Sequence, residues 1–258
     1  MDCIRGDSEE LFVEALRGVT DPIVTLPSAG LCYRFCRAMD RVEDVEARAV
    51  IAPSEVEHLS WRTQSLAAEF RFDGRLGLRA GRATDTTVVG TDRAYALDFT
   101  TRPLTAVGSS LDSQATHRQR WALGERVFFD TPPRAQLIER TAEAVGETAA
   151  RVVRAEFGRA PTRRRGPEGV DPVKLLVWAG AAEEARVTSV KTVVEDLRLG
   201  SRQMLERRLE VLETEELVAT PPYHDGLRGR PERQLVVSDG VGVDTPTQPP
   251  TWVRAALV

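Results

Sequence analysis

Arginine and glutamine side chains are concentrated on one short stretch of the chain, where they could bind the edges of DNA bases. Residues 201–217, SRQMLERRLEVLETEEL, carry Leu205, Leu209 and Leu212 at the spacing of a helix with one buried face. This spacing leaves a polar face on the first two turns, formed by Arg202, Gln203, Glu206 and Arg207. Arginine and glutamine each offer two hydrogen bonds in one plane, which matches the base edges of the major groove.

Further cations lie on either side of this helix in the sequence. The loop that follows it carries Arg228, Arg230 and Arg233, a spacing suited to phosphate contacts or to entry into a minor groove. A solvated charged face on an ordinary amphipathic helix is the alternative interpretation for any single arginine here. The full set of residues that we predict to contact DNA is Lys191, Ser201, Arg202, Gln203, Arg207, Arg228, Arg230 and Arg233.

The elements around this stretch follow the order of a winged helix–turn–helix. Asp171 and Pro172 are typical of a helix start, and the apolar residues after them predict a buried helix. VTSVKTVVEDLRLG predicts a second helix, with Gly200 as its stop. Two short apolar strands then enclose the arginine loop. Residues 171–240 are therefore predicted to form a winged helix–turn–helix domain, with recognition helix 201–217 in the major groove and wing 221–233 on the backbone or in the minor groove.

The positive charge of the chain is local. The whole chain has a net charge of −4, and residues 171–258 carry 11 basic and 14 acidic side chains. Residues 159–170, RAPTRRRGPEGV, carry 4 basic and 1 acidic side chain and contain nothing apolar enough to bury. We interpret this segment as a basic linker, which is either a solvated hinge or a strap against the DNA backbone. Residues 241–258 are treated as a C-terminal tail.

Residues 1–158 alternate between helix and strand signals, which predicts an α/β domain with a mixed sheet covered by helices. Its last predicted element is one long helix over residues 134–157. Apolar residues on that helix have heptad spacing, which suits either a homodimer seam or packing inside the domain. This stripe is formed by Ile138, Ala142, Val145, Ala149 and Val152.

The sequence offers no constellation for catalysis, a metal or a cofactor. The three histidines, His58, His117 and His224, are widely spaced, and Cys32 and Cys36 are interpreted as buried apolar residues rather than ligands. The chain lacks a run of about 18 apolar residues and a secretory signal pattern, so we expect no membrane segment and a cytoplasmic location. We therefore expect a protein that is not an enzyme.

The predicted N-terminal α/β region and three stretches after it together resemble the haloarchaeal TbsP-type transcriptional regulators, a family related in plan to the TrmB-like regulators. The three stretches are FFDTPPRAQLIERTAEAVGE, VEDLRLGSRQMLERRLEVLETEELV and GRPERQLVV, the last at residues 229–237. The resemblance runs over nearly the full length of the chain. It implies an archaeal regulator of transcription that binds double-stranded DNA. It also implies an N-terminal domain that binds a small-molecule effector or forms a homodimer.

Three function classes follow from these observations. The first is the sequence-specific DNA-binding regulator. The second is a protein–protein adaptor that uses the winged helix as a scaffold, since a fold does not dictate its function. The adaptor would show no salt-dependent affinity for DNA. The third, an enzyme with a winged-helix appendage, is disfavoured because the sequence contains no catalytic constellation.

Overall fold

The structure is a computed structural model that describes residues 8–97, 104–107, 111–159, 170–223, 232–241 and 257. These residues form two compact units, which divide between Phe129 and Asp130. Each unit has its own arrangement of helices and strands, and each is described by itself.

Unit 1, which ends at Phe129, is a layered α/β unit. Its helices in the described residues are α1 (Ser8–Arg17), α2 (Ala29–Arg41), α3 (Pro53–Val56), α4 (Trp61–Phe72) and α5 (Leu111–Leu123). Its strands there are β1 (Ile23–Leu26), β2 (Ala47–Ile51), β3 (Leu76–Ala80), β4 (Thr87–Val89), β5 (Ala94–Leu97), β6 (Leu104–Val107) and β7 (Glu125–Arg126).

The strands of unit 1 form one mixed sheet in the order β6-β5-β4-β1-β2-β3-β7. Strands β1, β2 and β3 are parallel, and every other neighbouring pair is antiparallel. All four residues of β1 are buried. Because successive side chains on a strand point to opposite faces, helices must cover both faces of the sheet at β1. Helices α2 and α4 connect the parallel strands, and α5 contacts β1, β2 and β4.

Unit 2, which begins at Asp130, is mainly helical. Its helices in the described residues are α6 (Arg134–Ala144), α7 (Glu147–Gly158), α8 (Pro172–Ala182), α9 (Val187–Asp196) and α10 (Arg202–Thr214). Its short strands are β8 (Val218–Ala219), β9 (Pro222–Tyr223), β10 (Glu232–Arg233) and β11 (Val236–Val237), and a 3-10 turn at Asp239–Val241 follows them.

Helix α8 is the centre of unit 2. It packs against α7, α9, α10 and β11, and Trp178 in its middle is completely buried. Gly180 allows the closest of these contacts, because a Cβ atom there would lie 2.6 Å from Val190 Cγ2 and 2.8 Å from Leu235 Cδ1. The apolar character of α8 on all sides, seen in the sequence, thus reflects neighbours on all sides.

The prediction of one long helix over residues 134–157 is wrong, because this segment forms two separate helices, α6 and α7. Gly146 lies between them with a φ of 139°, a conformation that side chains with a Cβ rarely adopt. The carboxylate of Glu183 caps the new helix by accepting hydrogen bonds from the Thr148 and Ala149 amides, at 2.6 and 3.1 Å. The break needs a residue 35 positions away, so helical periodicity alone did not reveal it.

The predicted domain boundary at residue 158 is also too late. Helix α7 packs against α8, and α6 packs against α9, so both helices belong to unit 2. Arg140 on α6 strengthens this packing with a hydrogen bond of 2.9 Å from its Nε to Asp196 at the end of α9. Hydrogen bonds to Asp196 and Glu143 raise the pKa of the Arg140 guanidinium above its ordinary value.

Smaller sequence predictions have mixed outcomes. The mixed α/β character is confirmed. Helix α9 ends at Asp196 rather than at Gly200, and Arg198 after it has the left-handed backbone expected of a helix end, with a φ of 53°. Of the predicted basic linker, residues 160–169 lie outside the described residues, and its last residue, Val170, is buried, contrary to the expectation that nothing in the linker is buried. Within the predicted tail, Leu257 is buried and its carbonyl accepts from the Asp171 amide at 2.8 Å.

Candidate nucleic-acid interface

Helix α10 presents its N-terminal end to solvent. Ser201 starts the helix, and its Oγ accepts a hydrogen bond of 3.2 Å from the Met204 amide, as expected for an N-cap. Leu205, Leu209 and Leu212 are 1%, 1% and 0% exposed, which fixes the rotation of the helix about its axis. The face opposite these leucines is therefore the outer face, as the sequence predicts.

Three of the predicted DNA-contacting residues lie together at the exposed N-terminal end of α10. Arg202, Gln203 and Arg207 are exposed on the first two turns of α10. Within the part of the chain that the structure describes, none of the three side chains forms a hydrogen bond or an ion pair. The free N–H groups at a helix N-terminus add partial positive charge at this end. This surface has the charge and the donor groups needed to bind phosphates and base edges.

Two other predicted residues are already engaged within unit 2. Lys191 on α9 pairs with Glu195, with 3.6 Å from Nζ to Oε1. Arg233 on β10 donates from Nη2 to both carboxylate oxygens of Glu206, at 2.8 and 2.6 Å. Arg233 is therefore held by Glu206 in this structure, and its contact with DNA stays a prediction. Arg228 and Arg230 lie outside the described residues.

The other end of α10 has the opposite charge. A depression of about 450 Å³ lies beside it, lined by Glu213, Glu216 and residues of the following strand. Carboxylates at this position would repel a phosphate backbone. The charge distribution of α10 therefore favours its N-terminal end as the one that meets an anionic partner.

A partly exposed ion pair adds to the buried leucines in holding α10 against the rest of unit 2. Arg208, next to the exposed arginine, lies on the inner side, with 2.8 Å from its Nε to Asp171 Oδ2. Asp171 in turn caps α8 by accepting from the amides of Val173 and Lys174, at 2.9 and 3.1 Å. One carboxylate thus connects the start of the central helix to the middle of α10.

The strands after α10 form two antiparallel pairs. We call the segment that carries them, residues 218–223 and 232–237, the arm. Strand β8 pairs with β11, and β9 pairs with β10 farther along. The segment before α9 joins them, through a bridge between Arg186 and Gln234 and a hydrogen bond of 2.8 Å from the Leu235 amide to the Ala185 carbonyl. Arg186 also lies 3.1 Å from Glu232 and 4.9 Å from the ring centre of Tyr223. The arm is thereby anchored at its base to the helical part of unit 2.

A buried polar chain in unit 1 was missed by sequence reasoning. Thr25 Oγ1 donates to the Asp85 carbonyl at 2.7 Å and lies 2.7 Å from Thr87 Oγ1. Thr87 must then donate to Thr25, so His117 Nε2, 2.8 Å from Thr87 Oγ1, is the donor of the last bond. This series of hydrogen bonds connects α5 to β1 and to β4. Only the register that places Thr25 opposite Thr87 could have revealed it.

The cysteines and the cavity of unit 1 do not form a reactive site. Cys32 and Cys36 are 1% and 0% exposed, which confirms their interpretation as buried residues. A hydrogen bond with Cys32, together with burial, raises the pKa of the Cys36 thiol well above its ordinary value. A cavity of about 10 Å³ beside Gln114 and Arg118 is at the lower limit for one water molecule.

The described residues contain neither a candidate metal site nor a candidate membrane helix. Those residues contain no group of three or more histidine, cysteine, aspartate or glutamate side chains suited to hold a metal ion. None of the helices described here is long and apolar enough to cross a membrane.

Comparison with family models, curated proteins and solved structures gave no match. The resemblance to the TbsP-type regulators therefore stays a prediction. What can be inferred about function rests on the chain's own geometry.

Proposed function

We propose that this chain is a sequence-specific DNA-binding regulator of transcription, with unit 2 as a winged helix–turn–helix. The observation that carries the proposal is the exposed group Arg202, Gln203 and Arg207 at the N-terminal end of α10. Arginine can form two hydrogen bonds with one guanine, and glutamine can form two with one adenine. This group is therefore suited to recognise bases in the major groove.

The arrangement of unit 2 supports this proposal. Helices α8, α9 and α10 pack on one another, two strand pairs follow α10, and the segment before α9 bridges to them at Arg186. This is the order in which winged helix–turn–helix domains place their recognition helix and wing. In the proposal, α10 enters the major groove, and the arm that carries β9 and β10 lies along the backbone or the minor groove.

Dimer formation and effector binding are part of the same proposal. A homodimer would place two α10 helices on half-sites about one helical turn apart. The predicted seam is not one continuous stripe, because it is divided between α6 and α7, and its α7 residues Ala149 and Val152 are 0% and 1% exposed within unit 2. The dimer surface is therefore sought elsewhere, and unit 1 is proposed to carry it or to bind a small-molecule effector.

Enrichment of genomic fragments by the full-length protein tests the proposed function. We expect a small set of fragments that share one short motif, because base contacts from α10 would favour the correct site by about 1–3 kcal/mol for each bidentate pair. Competition with unrelated duplex DNA should leave these fragments bound. Recovery of fragments without a common motif would contradict sequence-specific binding.

A further inference from the structure

The ion pair between Glu206 and Arg233 connects the proposed recognition helix to the proposed wing. Glu206 lies on the second turn of α10, between Gln203 and Arg207, and Arg233 lies on β10. Both oxygens of the carboxylate accept from the same nitrogen, Nη2, at 2.8 and 2.6 Å. The arm is thus tied directly to the surface that would meet DNA.

The position of this pair decides which charge DNA would meet. The side chains of Arg233 and Glu206 are 41% and 40% exposed, so the pair lies at the surface. An exposed ion pair of this kind contributes little to stability. Its greater effect is on the positive charge available to DNA, because the carboxylate of Glu206 neutralises the guanidinium of Arg233 and holds it against α10.

We propose that Glu206 is a specificity-determining residue that keeps Arg233 from binding phosphate without regard to sequence. This inference rests on the proposed DNA-binding function. Contacts to phosphate increase affinity for every sequence equally, whereas base contacts separate one site from another. By holding Arg233, Glu206 lowers the affinity for unrelated DNA and leaves the readout to Arg202, Gln203 and Arg207.

The charge on Glu206 also acts directly on DNA, and this second effect must be separated from the first. Removing a carboxylate from α10 would reduce repulsion of phosphate even if Arg233 were absent. Glu210 is the matched control, because it is exposed on the same helix and has no ion pair within the described residues. The Arg233→Gln background removes the cation that Glu206 is proposed to hold.

The test measures the affinity of the full-length protein for an unrelated duplex over a range of salt concentrations. Wild type is compared with Glu206→Gln, Glu210→Gln, Arg233→Gln and the Glu206→Gln/Arg233→Gln double variant, each checked for native circular dichroism. We expect Glu206→Gln to bind unrelated DNA several-fold more tightly. The slope of log K against log salt should steepen by about 0.9, the value for one added phosphate contact.

The other variants separate the proposal from simple electrostatics. We expect Arg233→Gln alone to bind unrelated DNA less tightly than wild type, because Glu206 then lacks the cation that neutralises it. The gain from Glu206→Gln should exceed the gain from Glu210→Gln, and in the Arg233→Gln background it should fall to the size of the Glu210→Gln gain. Equal gains from Glu206→Gln and Glu210→Gln, or a Glu206→Gln gain of the same size with and without Arg233, would overturn the proposal. If Glu206→Gln does not fold, Glu206→Ala takes its place in the same comparison.

Failure of the proposed function would give a different result. A wild-type protein whose binding to every duplex is absent or independent of salt would contradict DNA binding itself. A wild-type protein with normal salt-dependent binding, but with no selective effect of Glu206→Gln, would contradict only the role of Glu206.

Discussion

Replacing Arg202 or Gln203 by alanine is expected to weaken binding to a selected DNA site by about 5- to 150-fold, which corresponds to about 1–3 kcal/mol. Both side chains are exposed on the first turn of α10. Each would lose a pair of hydrogen bonds to one base. The same variants should bind unrelated duplexes with a smaller loss, because unrelated DNA offers them no matching base edge.

Arg208→Ala is the control on the same helix. Its guanidinium is directed to Asp171, with 2.8 Å between Nε and Oδ2, and so it is turned away from the outer face of α10. We expect its affinity for the selected site to stay close to wild type, provided that the variant is folded. Titrations with the selected and an unrelated duplex measure both affinities. If Arg208→Ala weakened specific binding more than Arg202→Ala, the orientation of α10 on DNA would be wrong.

A fragment that begins at residue 130 is expected to fold cooperatively, whereas a fragment that begins at residue 159 should be largely unfolded. The shorter fragment lacks α6 and α7, which pack on α9 and α8. Val152, Val153 and Phe157 of α7 are at most 2% exposed in the intact chain. Burial of each such side chain stabilises by about 1.5–3 kcal/mol, and the three together are comparable to a total stability of about 5–15 kcal/mol.

Thermal unfolding followed by circular dichroism compares the two fragments. We expect a single sigmoidal transition for residues 130–258 and a broad or absent transition for residues 159–258. Equal transitions in both fragments would show that α6 and α7 add no stability to unit 2. The division between Phe129 and Asp130 would then have no thermodynamic meaning.

Local signals in the sequence were sufficient for many of the helix ends and strands. Asp171 was recognised as a helix start, and its side chain accepts the expected backbone hydrogen bonds from Val173 and Lys174. The leucines of α10 were correctly placed in the core, and Arg202, Gln203 and Arg207 were correctly placed outside. These features depend on residues within one or two helical turns, so a single sequence contains them.

Features that depend on distant residues were not visible. The end of α6 depends on Gly146 and on the carboxylate of Glu183, which occupies the start of α7. The engagement of Arg233 depends on Glu206, 27 residues away. The two residues of β7, Glu125 and Arg126, are charged and carry no strand signal, and they pair with β3 through backbone groups alone. Each case needs the fold before the contact can be inferred.

The salt dependence of DNA affinity for the full-length wild-type protein is the measurement that tests DNA binding most directly. Each phosphate contact lowers log K by about 0.9 for every tenfold increase in salt. Three or more contacts by the exposed cations of unit 2 should therefore give a slope of about −3 or steeper. We predict such a slope, with tighter binding to the selected fragment at every salt concentration. An affinity that is the same at low and moderate salt would contradict DNA binding and favour a protein–protein adaptor.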